Sequence, residues 1–166
     1  MSFADTFLPE FDQEMKTTRS LLERVPTENL AWKPHAKSTA LGALASHIAN
    51  LAGFGTVIVT QTELNFAPKR AAPRVPVQFH SREELLNGFD ANVKESRDAI
   101  STLADADLGV TWALRNGEHT IFALPRAAVL RTFLMNHIIH HRGQLSVYQR
   151  LNDVPLPSIY GPTADT

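Results

Sequence analysis

The chain has no cysteine. That excludes disulfides, thiolate metal sites and a cysteine nucleophile in one step. It also has little net charge: 16 Lys+Arg stand against 17 Asp+Glu, a formal balance of -1. A dedicated nucleic-acid binder needs a basic face to displace counterions, and a polybasic membrane anchor needs a cationic cluster. Neither a nucleic-acid partner nor a membrane is therefore expected. Several catalytic signatures are missing. There is no P-loop, no HExxH and no GxGxxG. There is no GxSxG nucleophile elbow. No glutamate has a histidine three residues on, which excludes a di-iron carboxylate bundle. A secretory pattern is missing too, since Asp5, Glu10, Asp12, Glu14 and Lys16 interrupt the N-terminus. A cytoplasmic protein is the expectation. No internal repeat is visible.

What is present is ordinary globular composition, 43% hydrophobic and 20% charged. The length of 166 residues suits one domain spanning 1–166, long enough to bury a sizeable core. Residues 41–60, LGALASHIANLAGFGTVIVT, carry no Asp, Glu, Lys or Arg. Ser46, His47 and Asn50 sit in the middle of that run and three glycines dilute it. A buried bundle helix is therefore expected over a membrane span.

Helical periodicity dominates. Phe7, Phe11, Met15, Thr18 and Leu22 recur at helical spacing and predict a first helix over 3–25, stopped by Pro26. Ser38 or Thr39 can cap a second helix over 40–64. A linker with Pro68, Pro73 and Pro76 follows. Ser81 and Glu84 form a capping-box pattern that opens a third helix, ending near Ala104. Residues 109–124 change character: two short apolar segments flank Asn116-Gly117 and predict a small hairpin. A fourth and longest helix runs from Pro125 to about Asn152, with an irregular proline-rich tail after it. The expected class is all-α, a four-helix bundle with a hairpin inserted before the last helix.

Histidine is the informative residue type, with seven in the chain. On a wheel of about 100° per residue, Leu130, Leu134, Leu145 and Tyr148 share one stripe of the last helix, and His137 and His141 fall on it. Imidazoles at i and i+4 lie one above the other and form a chelating pair. His47, beside Leu44 and Leu51 on the second helix, supplies a third nitrogen. A lone apolar-stripe histidine is more often a hydrogen-bonded core residue. Two adjacent buried imidazoles without a shared ion are harder to satisfy. Three protein ligands leave a position open, as working metal sites do. Asn50 and Gln144 are candidates for orienting the ligands. His35, His80 and His119 read as solvated loop residues, and His140 as a flanking one. Arg126, Arg131, Arg142 and Arg150 spread around the helix and read as a solvated surface.

The segment Asn136-His137-Ile138-Ile139-His140-His141-Arg142-Gly143-Gln144-Leu145 resembles the signature of the DinB/YfiT-like family. The context Ala45-Ser46-His47-Ile48 and the tail from Val154-Pro155 to Ile159-Tyr160-Gly161-Pro162 are similar to that family as well. The resemblance implies a four-helix bundle holding one divalent ion, often zinc or nickel, on three histidines. These map onto His47, His137 and His141. It also implies relatives that use low-molecular-weight thiols as co-substrates, as S-transferases or isomerases. A thiol S-transferase acting on a small-molecule substrate is then the leading expectation. A metal-dependent hydrolase and a non-catalytic, stress-induced metal-binding protein are the alternatives. Met135, Ile139 and Ala128 form a second apolar patch on the last helix, from which a homodimer is expected.

Overall fold

The computed structural model describes residues 2–69, 72 and 75–166. Pro73 of the expected linker lies outside them. Helix α1 spans Phe3–Leu22. A capping box opens it: Ser2 accepts from the Asp5 amide, and the Asp5 carboxylate accepts from the Ser2 amide. It ends three residues before the expected Val25, because Arg24 and Val25 donate to Leu21 and Leu22 in a tighter turn ahead of Pro26.

The expected helix over 40–64 is three elements. Helix α2 spans Leu41–Leu51, α3 spans Phe54–Thr60, and strand β1 spans Glu63–Asn65. The break follows from α4, Arg82–Ser101. Its Asn92 donates to the Ala49 carbonyl at 2.8 Å and its Ser96 to the Ala52 carbonyl, drawing the end of α2 out of the helical ladder. Gly55 then admits Ser96, since a Cβ there would lie 2.6 Å from the serine's own. Neither Ser38 nor Thr39 caps α2. The carbonyls of Trp32 and Leu30, in the preceding connection, take the first two amides of α2. The run Leu41–Thr60 buries 67% of its apolar window inside the chain, as a core helix does.

Ser81 caps α4 through the Glu84 amide, but Glu84 reaches past the expected partner to the amide of His80. The hairpin is present as β2, Thr111–Asn116, and β3, His119–Pro125. Its turn lies one residue along from the expected position. Asn116 pairs with His119, and Gly117, with φ of 62°, begins the two-residue loop. Strand β1 adds to β2 in parallel, giving a three-stranded sheet ordered β1-β2-β3. The Asn65 side chain brackets Gly117, donating to its carbonyl and accepting from its amide. The all-α expectation is thus corrected: the protein is mostly helical with a small sheet. A three-residue strand carries too little alternation to stand out from an adjoining helical pattern.

The last helical stretch runs as α5, Arg126–Val129, a π-helical segment, Leu130–Met135, and α6, Asn136–Arg150. Helices α1, α2, α4 and α6 pack in a closed square, α1 on α4 and α6, and α2 on the same two. The π segment widens the turn and moves the buried face by one register. The core positions of α6 are Ile138, Arg142, Leu145 and Gln149. A wheel of constant pitch cannot show this shift. Of the second apolar patch, Met135 is fully buried in this chain's own core, while Ile139 and Ala128 are half-buried.

Two of the four arginines read as solvated are buried. Arg126 donates to the carbonyls of Ile58, Gln61 and Asp107, tying the start of α5 to the end of α3. Arg142 pairs with Glu14 of α1 at 2.5 Å, with both side chains less than a tenth exposed. The tail completes that pair. Tyr160 accepts from Arg142 at 2.6 Å and donates to the Glu14 carboxylate at 2.9 Å. Arg131 and Arg150 pair with Glu10 and Asp165.

Candidate metal centre

The one-register shift places His137 and His141 on the flank of the core face. They immediately precede the buried Ile138 and Arg142 and face α2. His47 meets them from α2. The ring centroids of His47 and His137 lie 5.3 Å apart, those of His47 and His141 4.6 Å, and those of His137 and His141 4.7 Å. One nitrogen from each lies within 4.8 Å of the other two. All three rings are half-buried. The sequence-derived triad is therefore brought together. His140 is exposed, stacked edgewise on His141 at 4.9 Å. His35, His80 and His119 are exposed and away from the cluster.

Burial and mutual repulsion keep these imidazoles neutral. His137 is pushed down from 6.5 to about 4, first by burial and then by His141 and His47. His47 is lowered by burial and by His141. His141 is lowered by burial, while its hydrogen bond to Gln144 opposes the shift. Neutral imidazole is the form that ligates a cation. The carbonyl of Phe133, one turn before His137, opposes the lowering of His137 by accepting from its ring. With no carboxylate in the cluster and three nitrogen donors within reach of one point, the residues fit a borderline-soft divalent ion.

Of the two candidates for orienting ligands, only Gln144 does so. Its Oε1 lies 2.7 Å from the Nδ1 of His141. If that nitrogen carries the proton, Nε2 is left free to ligate. Asn50 instead holds chain 76–79 against α2. It donates to the carbonyls of Ser46 and Val77 and accepts from the Val77 amide. Ser46 adds to this, accepting from the Phe79 amide and from Gln78.

Two cavities flank the cluster. An open cleft of about 500 Å³ is lined by Lys37, Ser38, Thr39, His47, His141 and Gln144. A more enclosed cavity of about 230 Å³ lies on the other side, against His47, His137, Phe54, Phe66, Pro76 and Phe133. The aromatic lining of this second cavity, Phe54, Phe66 and Phe133, was not singled out from the sequence. The available signal was Phe133, one turn before His137. Its ring stacks on Phe54 at 5.5 Å and touches His137 at 5.5 Å.

A helical bundle with a flanking sheet, carrying three histidines from two adjacent helices, defines the class. Comparison with known proteins identifies it further. Residues 10–145 match the model of the DinB superfamily, and the chain belongs to that superfamily. It is 30% identical to the uncharacterized protein YrdA of Bacillus subtilis, over 97% of this chain and 90% of that one. A DinB-like protein from Bacillus cereus superposes with a TM-score of 0.66 at 25% identity, covering 93% of this chain and 95% of that one. The DinB-like protein YjoA of Bacillus subtilis shares the fold, with a TM-score of 0.67 at 18% identity, 92% of this chain and 96% of that one.

Proposed function

We propose that the protein is a metal-dependent enzyme that transfers the sulfur of a low-molecular-weight thiol to an electrophilic small molecule. The carrying observation is the neutral triad of His47, His137 and His141, whose nitrogens lie within 4.8 Å of one another beside an open cleft. These three residues would hold one divalent ion, zinc or nickel. When bound, the ion supplies a Lewis acid that favours the deprotonated form of a thiol or water beside it.

The chain's own residues do the rest. Gln144 holds the His141 ring in position. Phe133 and Phe54 give the inner side of the cluster an apolar wall. Lys37, at the mouth of the cleft, offers a cation to a polar co-substrate. In the transfer, the sulfur forms a bond to the electrophilic carbon. The leaving group departs with the electron pair of its own bond, and the thiol proton passes to solvent through the cleft. The absence of cysteine is compatible with a nucleophile supplied from outside.

The test is a conjugation assay with a reactive aromatic chloride and a panel of thiols, on metal-loaded and metal-stripped protein. The loaded form should be faster, and His141→Ala should behave like the stripped form. If no thiol shows a metal-dependent rate, the transferase reading fails. An ester and amide panel run on the same samples then decides for or against the hydrolase.

A further inference from the structure

The two cavities beside the triad differ in chemistry, and the difference names a substrate class. The open cleft has a lysine, hydroxyls and an amide in its wall. Among the described residues, the inner cavity has no charged residue in its wall. Its one amide side chain, Asn50, has both N–H groups committed to the carbonyls of Ser46 and Val77, and its oxygen accepts from the Val77 amide. Among the described residues, the imidazoles of His47 and His137 are therefore the polar groups it has left to offer. A guest that carried a charge or several hydroxyls into this space would lose its hydration without replacement. Phe54 and Phe133 stack on each other with an interplanar angle of 7° and form one aromatic side of the cavity, which Phe66 and Pro76 complete. Offset or edge contact with aromatic faces favours a planar guest. A cavity of about 150 Å³ accepts a benzene ring, so 230 Å³ suits one substituted ring.

We infer that the cavity lined by Phe54, Phe66, Pro76 and Phe133 seats the aromatic ring of an uncharged, single-ring substrate, beside His47 and His137. This rests on the transferase reading for the ring's role as electrophile, but the binding itself does not. His47 borders both cavities, so a ring in one and a polar co-substrate in the other would meet at the triad from opposite sides.

The probe is 1,3-dinitrobenzene, an aromatic with no leaving group. Its binding to the zinc-loaded full chain is followed by calorimetry and by amide chemical shifts. Saturable one-to-one binding is expected, with shifts in Leu51, Phe54 and Phe133. Phe66→Ala removes a partly exposed wall and should weaken binding about fivefold or more. Leu51→Trp should fill the space and abolish binding. Lys37→Ala, on the opposite cleft, should leave binding unchanged. Zinc affinity, measured separately, should be unchanged in Phe66→Ala. Absence of saturable binding overturns the inference. So does binding that Lys37→Ala weakens and Phe66→Ala does not. If Leu51→Trp does not fold, Phe66→Ala and Lys37→Ala still decide. Binding as expected without any conjugation activity would leave the ring site standing and defeat the transferase reading alone.

Discussion

The contacts around the triad predict unequal effects. His141 is held by Gln144. Removing such a partner typically costs 10–100-fold in metal affinity. Gln144→Leu should therefore weaken zinc binding by about that factor without unfolding the chain, as read by competitive titration against a chelator dye. The Glu14–Arg142–Tyr160 network sits behind the triad, one residue from His141. Breaking a buried pair from one side leaves an uncompensated charge and costs about 3–5 kcal/mol. Glu14→Leu should lower thermal stability sharply in calorimetry, while Tyr160→Phe, which keeps the pair, should cost much less. The triad was legible in the sequence because i, i+4 spacing and apolar neighbours are local signals. Arg142 was not, because its partner is 128 positions away. The clue lay in α1, where Glu14 interrupts an apolar stripe between Phe11 and Met15.

At the scale of elements, the helices of the bundle were legible and their interruptions were not. The hairpin was readable because Asn116-Gly117 sits between two apolar segments. Its turn is shifted by one residue because Asn65, from β1, captures both backbone groups of Gly117. Gly117 has φ of 62°, a region that costs a β-branched residue roughly 1–2 kcal/mol. Gly117→Val should lower the melting temperature by a few degrees and leave zinc affinity intact. The break between α2 and α3 depends on Asn92 and Ser96, residues of another helix, so no window on residues 41–60 contains it. The π segment Leu130–Met135 likewise has no periodic signature of its own. Its effect is to turn the histidine pair from the core to the cleft. Deleting Thr132, which would restore an α-helical pitch, should cost the metal site more than it costs helicity, compared by zinc titration and circular dichroism.

For the whole molecule, the buried histidines link stability to pH. His137 has a folded-state value of about 4 against 6.5 for the free side chain. Between those values the unfolded chain binds more protons than the native one, so stability rises with pH. The metal-free protein should therefore lose stability as pH falls from about 6.5 toward 4, a loss that thermal melts at pH 7 and pH 5 would show. His47→Ala, which lowers the burden of adjacent imidazoles, should soften that dependence. Asp5 and Asp165, lowered from 3.8 by the Ser2 amide and Arg150 respectively, act only at lower pH. Bound metal should raise the melting temperature at pH 7, and the gain should shrink toward pH 4 as protons compete for the same nitrogens.

Elemental analysis of untagged protein after zinc loading and exhaustive dialysis reads directly whether His47, His137 and His141 together hold one divalent ion. One equivalent per chain is expected in the native protein and in His140→Ala and His119→Ala, and far less than one in His137→Ala and His141→Ala. Full metal content in either of the last two variants, or none in the native chain, would contradict the three-histidine site.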